Sequence, residues 1–392
     1  MSEDSIIELE SRHHANVYQK MPVVLERGDG ALVWDIRGKE YIDCMGGYGV
    51  ALVGHCNPKV VSAVKSQLEK LITCHGSFFN SVRAELLEKL SKITPSGLDS
   101  IYLCNSGAEA NECAIKLARK YTGKKEIVAF TGSFHGKTMG AVSLTWGKKY
   151  REPFEPLLPG IKFARFGDLD SAKDAINEET AAVIVEPVQG ESGIHVPPSG
   201  FLRALREICD EKDILLIFDE IQTGFGRTGK MWAAEHWGTQ PDILTVAKGM
   251  AGGLPIGATI STREVMSSLK VGEHTSTFGG NPLACAAGSA TIDYIVENHL
   301  PSQAEEKGKR LRQGLEKIQR THSAVREVRG LGLMIGVEIR FDVKNILDIC
   351  LEKGVILLYS GRNIIRLLPP LVIREEQMQR ALSIIDESLA VP

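Results

Sequence analysis

The groups that could do chemistry in this chain stand where apolar runs stop. ILLIFDEIQ, Ile214 to Gln222, runs through five apolar residues and ends in Asp219-Glu220. That is the pattern of a fully buried strand with an acid at its exit. The next apolar run, Asp242 to Ala247, ends at Lys248-Gly249. Glu126 to Phe130 exits into TGSFHGKT, which carries Phe134-His135, and Ala181 to Val185 exits at Glu186. Asn105-Ser106-Gly107-Ala108 is a small-residue turn that opens a helix. Carboxyl ends of parallel strands are where open α/β sheets bind ligands. A lysine at such an exit can lose its proton and form a Schiff base. A helix opening on small residues offers backbone N–H groups to an anion. An acid facing a pyridine nitrogen keeps that ring cationic, which makes it an electron sink.

Read together, one crevice gathers an amine, two acids, a flat ring and a phosphate-binding turn. Pyridoxal 5′-phosphate tethered to Lys248, with Asp219 at its ring nitrogen and Phe134 against its face, would use them all. Each residue alone also has a plainer reading. Ser106 fits an N-cap, Lys248 a surface lysine lying along apolar neighbours, Asp219 a loop-stabilising acid, and Phe134 core packing.

These groups need a scaffold that brings strand ends to one edge. From Ser100 onward strands and helices alternate, which implies a mostly parallel central sheet with helices on both faces. After about residue 290 the pattern changes to two strands within Val325 to Ile339, a helix at Val343 to Lys353, strands at Val355 to Tyr359 and Asn363 to Leu367, and a closing helix at Glu375 to Leu389. Before the alternating region, Leu32 to Asp35 and Glu40 to Asp43 read as a hairpin around Arg37-Gly38. The expected division is an N-terminal part at 1–50, packing with the small domain. A large α/β domain comes next at 51–290, and a small α+β domain at 291–392.

The bulk numbers exclude more than they assign. With 43% apolar and 24% charged residues over 392 positions, the composition is that of a globular protein of about two domains. A formal net charge of −3 argues against nucleic acid and membrane surfaces as partners. The eight cysteines form no CxxC and fit reduced thiols, hence a cytoplasmic enzyme. The charged start MSEDSIIELESRHH predicts no signal peptide. No Cys/His ligand spacing points to a metal. Gly224 to Gly229 fits GxGxxG and Gly224 to Lys230 nearly fits a phosphate-binding loop. The continuation, Lys230 to Gly238, is a poor helix, and Met231 stands where a metal-binding hydroxyl is needed.

SGAEANECAIKLAR, GSFHGKT, EPVQGE, FDEIQTGFGRTG, the Ala247-Lys248-Gly249 region and STFGGNPLA succeed one another in family order. They resemble the class III pyridoxal-phosphate aminotransferases of fold type I, over nearly the whole chain. Within that family the chain looks like the acetylornithine branch. GYGVALVGHCNP, TWGKKYREPFEPL and IIRLLPPLVI resemble its lysine-biosynthesis members, which act on aminoadipate semialdehyde attached to the carrier protein LysW.

The resemblance implies roles. Gly107 and Ala108, beside Ser106, would bind the cofactor phosphate. Gln222 would lie near the ring hydroxyl. Thr277 would reach the phosphate of a neighbouring subunit, so the protein would be a homodimer with shared sites. Ser276 and Lys137 match substrate-contacting positions. Glu186 would pair with an arginine between half-reactions, and Arg366 would grip the α-carboxylate of glutamate. Lys137 departs from the arginine common in the acetylornithine branch, replacing a planar fork with a point charge. The implied reaction moves nitrogen from glutamate to LysW-bound aminoadipate semialdehyde, and also to LysW-bound glutamate semialdehyde, one methylene shorter. N-acetylornithine is the alternative substrate. Another omega-aminotransferase, or an aminomutase or racemase on the same fold, is the alternative enzyme.

Overall fold

A computed structural model describes residues 1–390. At its centre is a seven-stranded sheet. In spatial order its strands are Ser100–Cys104, Gly257–Ser261, Ile243–Val246, Leu215–Asp219, Thr180–Val185, Glu126–Phe130 and Ile161–Ala164. Six run parallel. Gly257–Ser261 is antiparallel to both neighbours. The fold is therefore the mostly parallel, doubly covered sheet that the strand–helix alternation implies.

The strand Leu215–Asp219 shows why such runs are continuously apolar. Leu216 and Phe218 join one core, and Leu215 and Ile217 join the other, which is built against the helix Gly107–Thr122. Both faces are covered, so both alternations must be apolar. Burying such side chains stabilises by roughly 1.5–3 kcal/mol each. Asp219 has the parity of Leu215 and Ile217, so its carboxylate faces that helix. The pairings Phe218↔Leu244 and Asp219↔Thr245 set the exits of neighbouring strands side by side.

Two four-stranded sheets flank this core. Leu25–Asp29, Leu32–Asp35 and Glu40–Asp43 are completed by Val355–Ile356, which pairs parallel to Glu40–Asp43. Val325–Leu331, Met334–Ile339, Ile364–Leu367 and Leu358–Ser360 form the other. The run Val355 to Tyr359, expected as one strand, is divided between these two sheets. Leu25–Asp29, Ile161–Ala164 and Gly257–Ser261 had no clear signal, being short and partly polar. All eight cysteines are free, and Cys44, Cys104, Cys113, Cys209, Cys285 and Cys350 are buried. Among the described residues no helix is long and apolar enough to cross a membrane.

Candidate active site

The strand exits open onto one cavity of about 570 Å³. Asn105, Ser106, Gly107, Ala108, Phe134, Lys137, Glu186, Asp219, Gln222 and Lys248 all line it.

Asp219 is 3% exposed. Its Oδ2 accepts from Asn111 Nδ2 at 2.8 Å and from His135 Nδ1 at 2.7 Å. Its Oδ1 accepts from the Ile221 N–H at 3.1 Å. Asn111 lies one turn into the helix Gly107–Thr122, on the face that strand parity gives to Asp219. A buried carboxylate needs such donors. The arrangement fixes the His135 tautomer, because Nδ1 must carry the proton given to Asp219. His135 Nε2 and Asn111 Oδ1 are buried without a partner among the described residues.

Lys248 comes after the strand Ile243–Val246 with a φ of 41°, a strained value for a residue with a side chain. Burial pushes its amine below the ordinary lysine range, with Asp219 opposing that shift. The neutral amine is the nucleophilic form.

The helix Gly107–Thr122 begins at the N-cap Ser106, whose Oγ accepts from the Glu109 N–H. That leaves the N–H groups of Gly107 and Ala108, on the cavity wall, free for an anion. Gly107 must lack a side chain, since a Cβ there would stand 2.6 Å from Ile221 Cδ1. Phe134 and Ile221 supply apolar wall.

Glu186 is 6% exposed and, among the described residues, pairs with no arginine. Its Oε1 accepts from Phe134 N–H at 2.9 Å and its Oε2 from Gly190 N–H at 3.0 Å. Burial pushes its carboxyl up to about 7, with His135 lowering and Asp219 raising it. The acid in contact with Arg366 is Glu191, at 2.7 Å from Arg366 Nη1. This corrects the pairing expected of Glu186. Both acids stand in EPVQGE, and only the loop's path decides which one reaches the guanidinium.

Arg366 is fully buried in the strand Ile364–Leu367. Its Nη2 donates to Gln222 Oε1 at 3.3 Å, and its Nε has no acceptor among the described residues. Gln222 also reaches the Tyr48 carbonyl at 3.5 Å. Arg366 thus stands behind Glu191 and Gln222, which line the cavity themselves.

Ser276 and Thr277 are not on the cavity wall of their own chain. Ser276 Oγ accepts from Asn105 Nδ2 at 3.1 Å and from Gly279 N–H at 3.0 Å, while Thr277 is exposed. Sequence reasoning also missed Tyr18, Tyr48, Tyr150 and Ile221, all lining the cavity. Asn111 had a signal, its one-turn spacing from Gly107. The tyrosines arrive from segments distant in sequence, Tyr48 and Tyr150 on one-turn helices, and had none.

The GxGxxG segment is a packing device. A Cβ on Gly226 would stand 3.1 Å from Pro301 Cγ, and one on Gly229 would stand 2.9 Å from Glu305 Cβ. None of its glycines lines the cavity.

Comparison with known proteins places the chain as a whole in a family. The family model "Aminotransferase class-III" covers residues 13–389. The chain belongs to the class-III aminotransferases. An acetylornithine aminotransferase of Methanopyrus kandleri is 49% identical over 384 residues, covering 97% of this chain and 98% of that one. A [LysW]-aminoadipate semialdehyde/glutamate semialdehyde transaminase of Sulfolobus acidocaldarius is 44% identical over 373 residues, covering 95% and 96%. The solved ornithine aminotransferase of Toxoplasma gondii superposes with a TM-score of 0.96 at 34% identity, covering 99% of this chain and 95% of that one.

This class-III aminotransferase is a transaminase that works with pyridoxal 5′-phosphate. The cavity fits that cofactor on its own terms. It offers a low-pKa amine, a buried carboxylate locked by fixed donors, and free N–H groups where a phosphate would sit.

Proposed function

We propose that this aminotransferase moves an amino group between glutamate and the terminal semialdehyde of LysW-bound aminoadipate, with LysW-bound glutamate semialdehyde as a second acceptor. The reading rests on the mouth of the cavity. Lys137 and Tyr150 line it, Lys149 Nζ lies 4.7 Å from the Tyr150 ring centroid, and Lys137 Nζ lies 5.8 Å from it. Lys148 and Arg151 flank the same tyrosine in sequence, and the side chain of Lys148 is 86% exposed. Such a cationic rim suits an acidic carrier better than a small acetylated acid. N-acetylornithine is the second reading, favoured by the 49% identity to the M. kandleri enzyme.

Bound, the cofactor would supply an aldehyde that captures amines and a heterocycle that delocalises the electron pair left on the α-carbon when the substrate α-proton is removed. Lys248 tethers it and then carries that proton, a task suited to an amine whose pKa burial has lowered. Asp219 holds the ring nitrogen in its cationic form, while Asn111 and His135 aim Asp219. Gly107 and Ala108 grip the phosphate. Arg366 receives the α-carboxylate of glutamate, and Glu191 covers Arg366 when the other substrate, reactive at its far end, occupies the site. Glu186 pins the backbone of Phe134 and of the loop that carries Glu191.

A second copy completes the site by supplying Thr277 to the phosphate. The exposure of Thr277, and of Phe278 at 64% and Phe78 at 70%, supports a homodimer through this face. Free, mostly buried thiols support a cytoplasmic enzyme.

The test is acceptor profiling with glutamate as donor. Carrier-bound aminoadipate semialdehyde is expected to give the highest kcat/KM. An equal or higher value for N-acetylglutamate semialdehyde overturns the preference. Reversing the rim charges with Lys148→Glu and Lys149→Glu should raise KM for carrier-bound acceptors by about tenfold at low salt. The acetylated acceptor should be unaffected, and an equal loss there rules out the rim as a carrier contact.

A further inference from the structure

Arg227 is 0% exposed and has no carboxylate partner among the described residues. Burial pushes its guanidinium down to about 9, with Asp43 opposing. Burying an unpaired charge is costly, and hydrogen bonds must offset it. Nε and Nη2 have no acceptor among the described residues, so Nη1 makes all of the guanidinium's bonds. Nη1 donates to the Leu333 carbonyl at 3.0 Å and to the Pro369 carbonyl at 2.5 Å. The Arg227 carbonyl accepts from the Leu333 N–H at 3.0 Å.

Leu333 leads into the strand Met334–Ile339, and Pro369 lies just past the strand Ile364–Leu367. Those strands pair with Gly336 opposite Arg366. One guanidinium therefore closes one end of this strand pair, in which Ile364–Leu367 carries Arg366. The contact is tight: a Cβ on Gly332 would stand 2.7 Å from the Arg227 carbonyl oxygen and 2.4 Å from the Thr228 carbonyl carbon. Arg227 also belongs to the loop that leaves Asp219. Gln222, in that loop, touches Arg366 directly at 3.3 Å.

We propose that Arg227 is a positioning residue that locks the Arg366 strand pair to the Asp219 loop, and so sets where a substrate carboxylate is held relative to Lys248. The inference rests on Arg366 as the α-carboxylate anchor. It goes beyond that reading by naming what holds the anchor in place. A displacement of about 1 Å at such an anchor is enough to lose on the order of tenfold to a hundredfold in productive binding.

The experiment compares two amine donors on the cofactor-loaded enzyme, following decay of its visible band. Glutamate needs the anchor, and 1-aminopentane has no carboxylate. Arg227→Lys keeps the charge on a shorter stem that falls short of the two carbonyls, and Arg227→Met removes the charge. Both are expected to raise KM for glutamate by about tenfold or more, and to leave 1-aminopentane within about twofold of wild type. Equal losses for the two donors, or an unchanged KM for glutamate in a folded, coloured variant, overturn the proposal. Arg366→Lys is run alongside. If it leaves KM for glutamate unchanged, the anchor reading fails and takes this inference with it. If Arg366→Lys weakens glutamate and Arg227→Lys does not, the role of Arg227 alone is wrong.

Discussion

Asp219 and Arg366 are two buried ionic groups of the site, and they are held in different ways. The Asp219 carboxylate takes bonds from the buried side chains of Asn111 and His135 and from the Ile221 backbone, none of them an opposing fixed charge. The Arg366 guanidinium leans on Glu191 and Gln222, which are loop residues at the cavity wall, and keeps one nitrogen without an acceptor. The side chain of Glu191 is 32% exposed. One half of the site is saturated by partners that stay. The other is paired with a partly exposed carboxylate on a loop. A transaminase that handles two different substrates in turn needs both: an invariant chemical centre and an exchangeable specificity contact.

The sharpest break is on the saturated side. Asp219→Asn keeps an acceptor for His135 and Asn111 but loses the charge at the ring nitrogen. The expected result is a fall in kcat of about two to three orders of magnitude for every donor, because a charge-stabilising contact to the reacting system is removed. The melting temperature of the protein should move little. Selective loss for glutamate, with the other substrates spared, would place Asp219 on the exchangeable side and end the contrast.

Legibility in the sequence divides along the same line. The central sheet and its exits were readable because doubly covered strands must be continuously apolar, so the polar residue that ends each run announces itself. Asp219, Lys248 and the turn at Ser106 were found that way. Ile161–Ala164 and Gly257–Ser261 were not, being short and placed toward an edge or against the grain of the sheet. The Arg366 side depends on loop paths. Glu186 and Glu191 sit five positions apart in one motif. Nothing in residue type says which meets the guanidinium. Arg227 was hidden inside a glycine pattern that reads as nucleotide binding, although its glycines serve close packing against Pro301 and Glu305.

Glu186 lies between the two halves, pinning Phe134 on one side and Gly190 on the other. Its carboxyl is raised from 4.5 to about 7 by burial. Below about 4.5 both folded and unfolded chains carry this proton. Between 4.5 and 7 the unfolded chain releases it while the folded chain keeps it, so this group's contribution to stability falls as pH rises. In the cofactor-free protein, wild type should therefore lose up to about 3 kcal/mol relative to Glu186→Gln across that window. Urea midpoints of the two proteins at several pH values measure it, and other titrating groups cancel in the difference. Parallel curves would mean that Glu186 is ionised throughout and stands in a wetter setting than its burial implies.

The smallest effect probes the exchangeable side alone. Glu191→Gln keeps a hydrogen-bond acceptor for Arg366 and removes the competing charge. Glutamate then no longer has to displace an anion to reach the guanidinium, and its KM should fall by about threefold to tenfold, the scale of a partly exposed ion pair. The terminal-amine substrate loses, because Arg366 now stands uncovered and attracts glutamate and 2-oxoglutarate into the wrong half-reaction. Its apparent KM should rise by a similar factor, more steeply as 2-oxoglutarate is added. The opposite signs are the point of the measurement. A residue that only braced the cavity would shift both substrates the same way, and that outcome would dissolve the distinction between the fixed centre and the exchangeable contact.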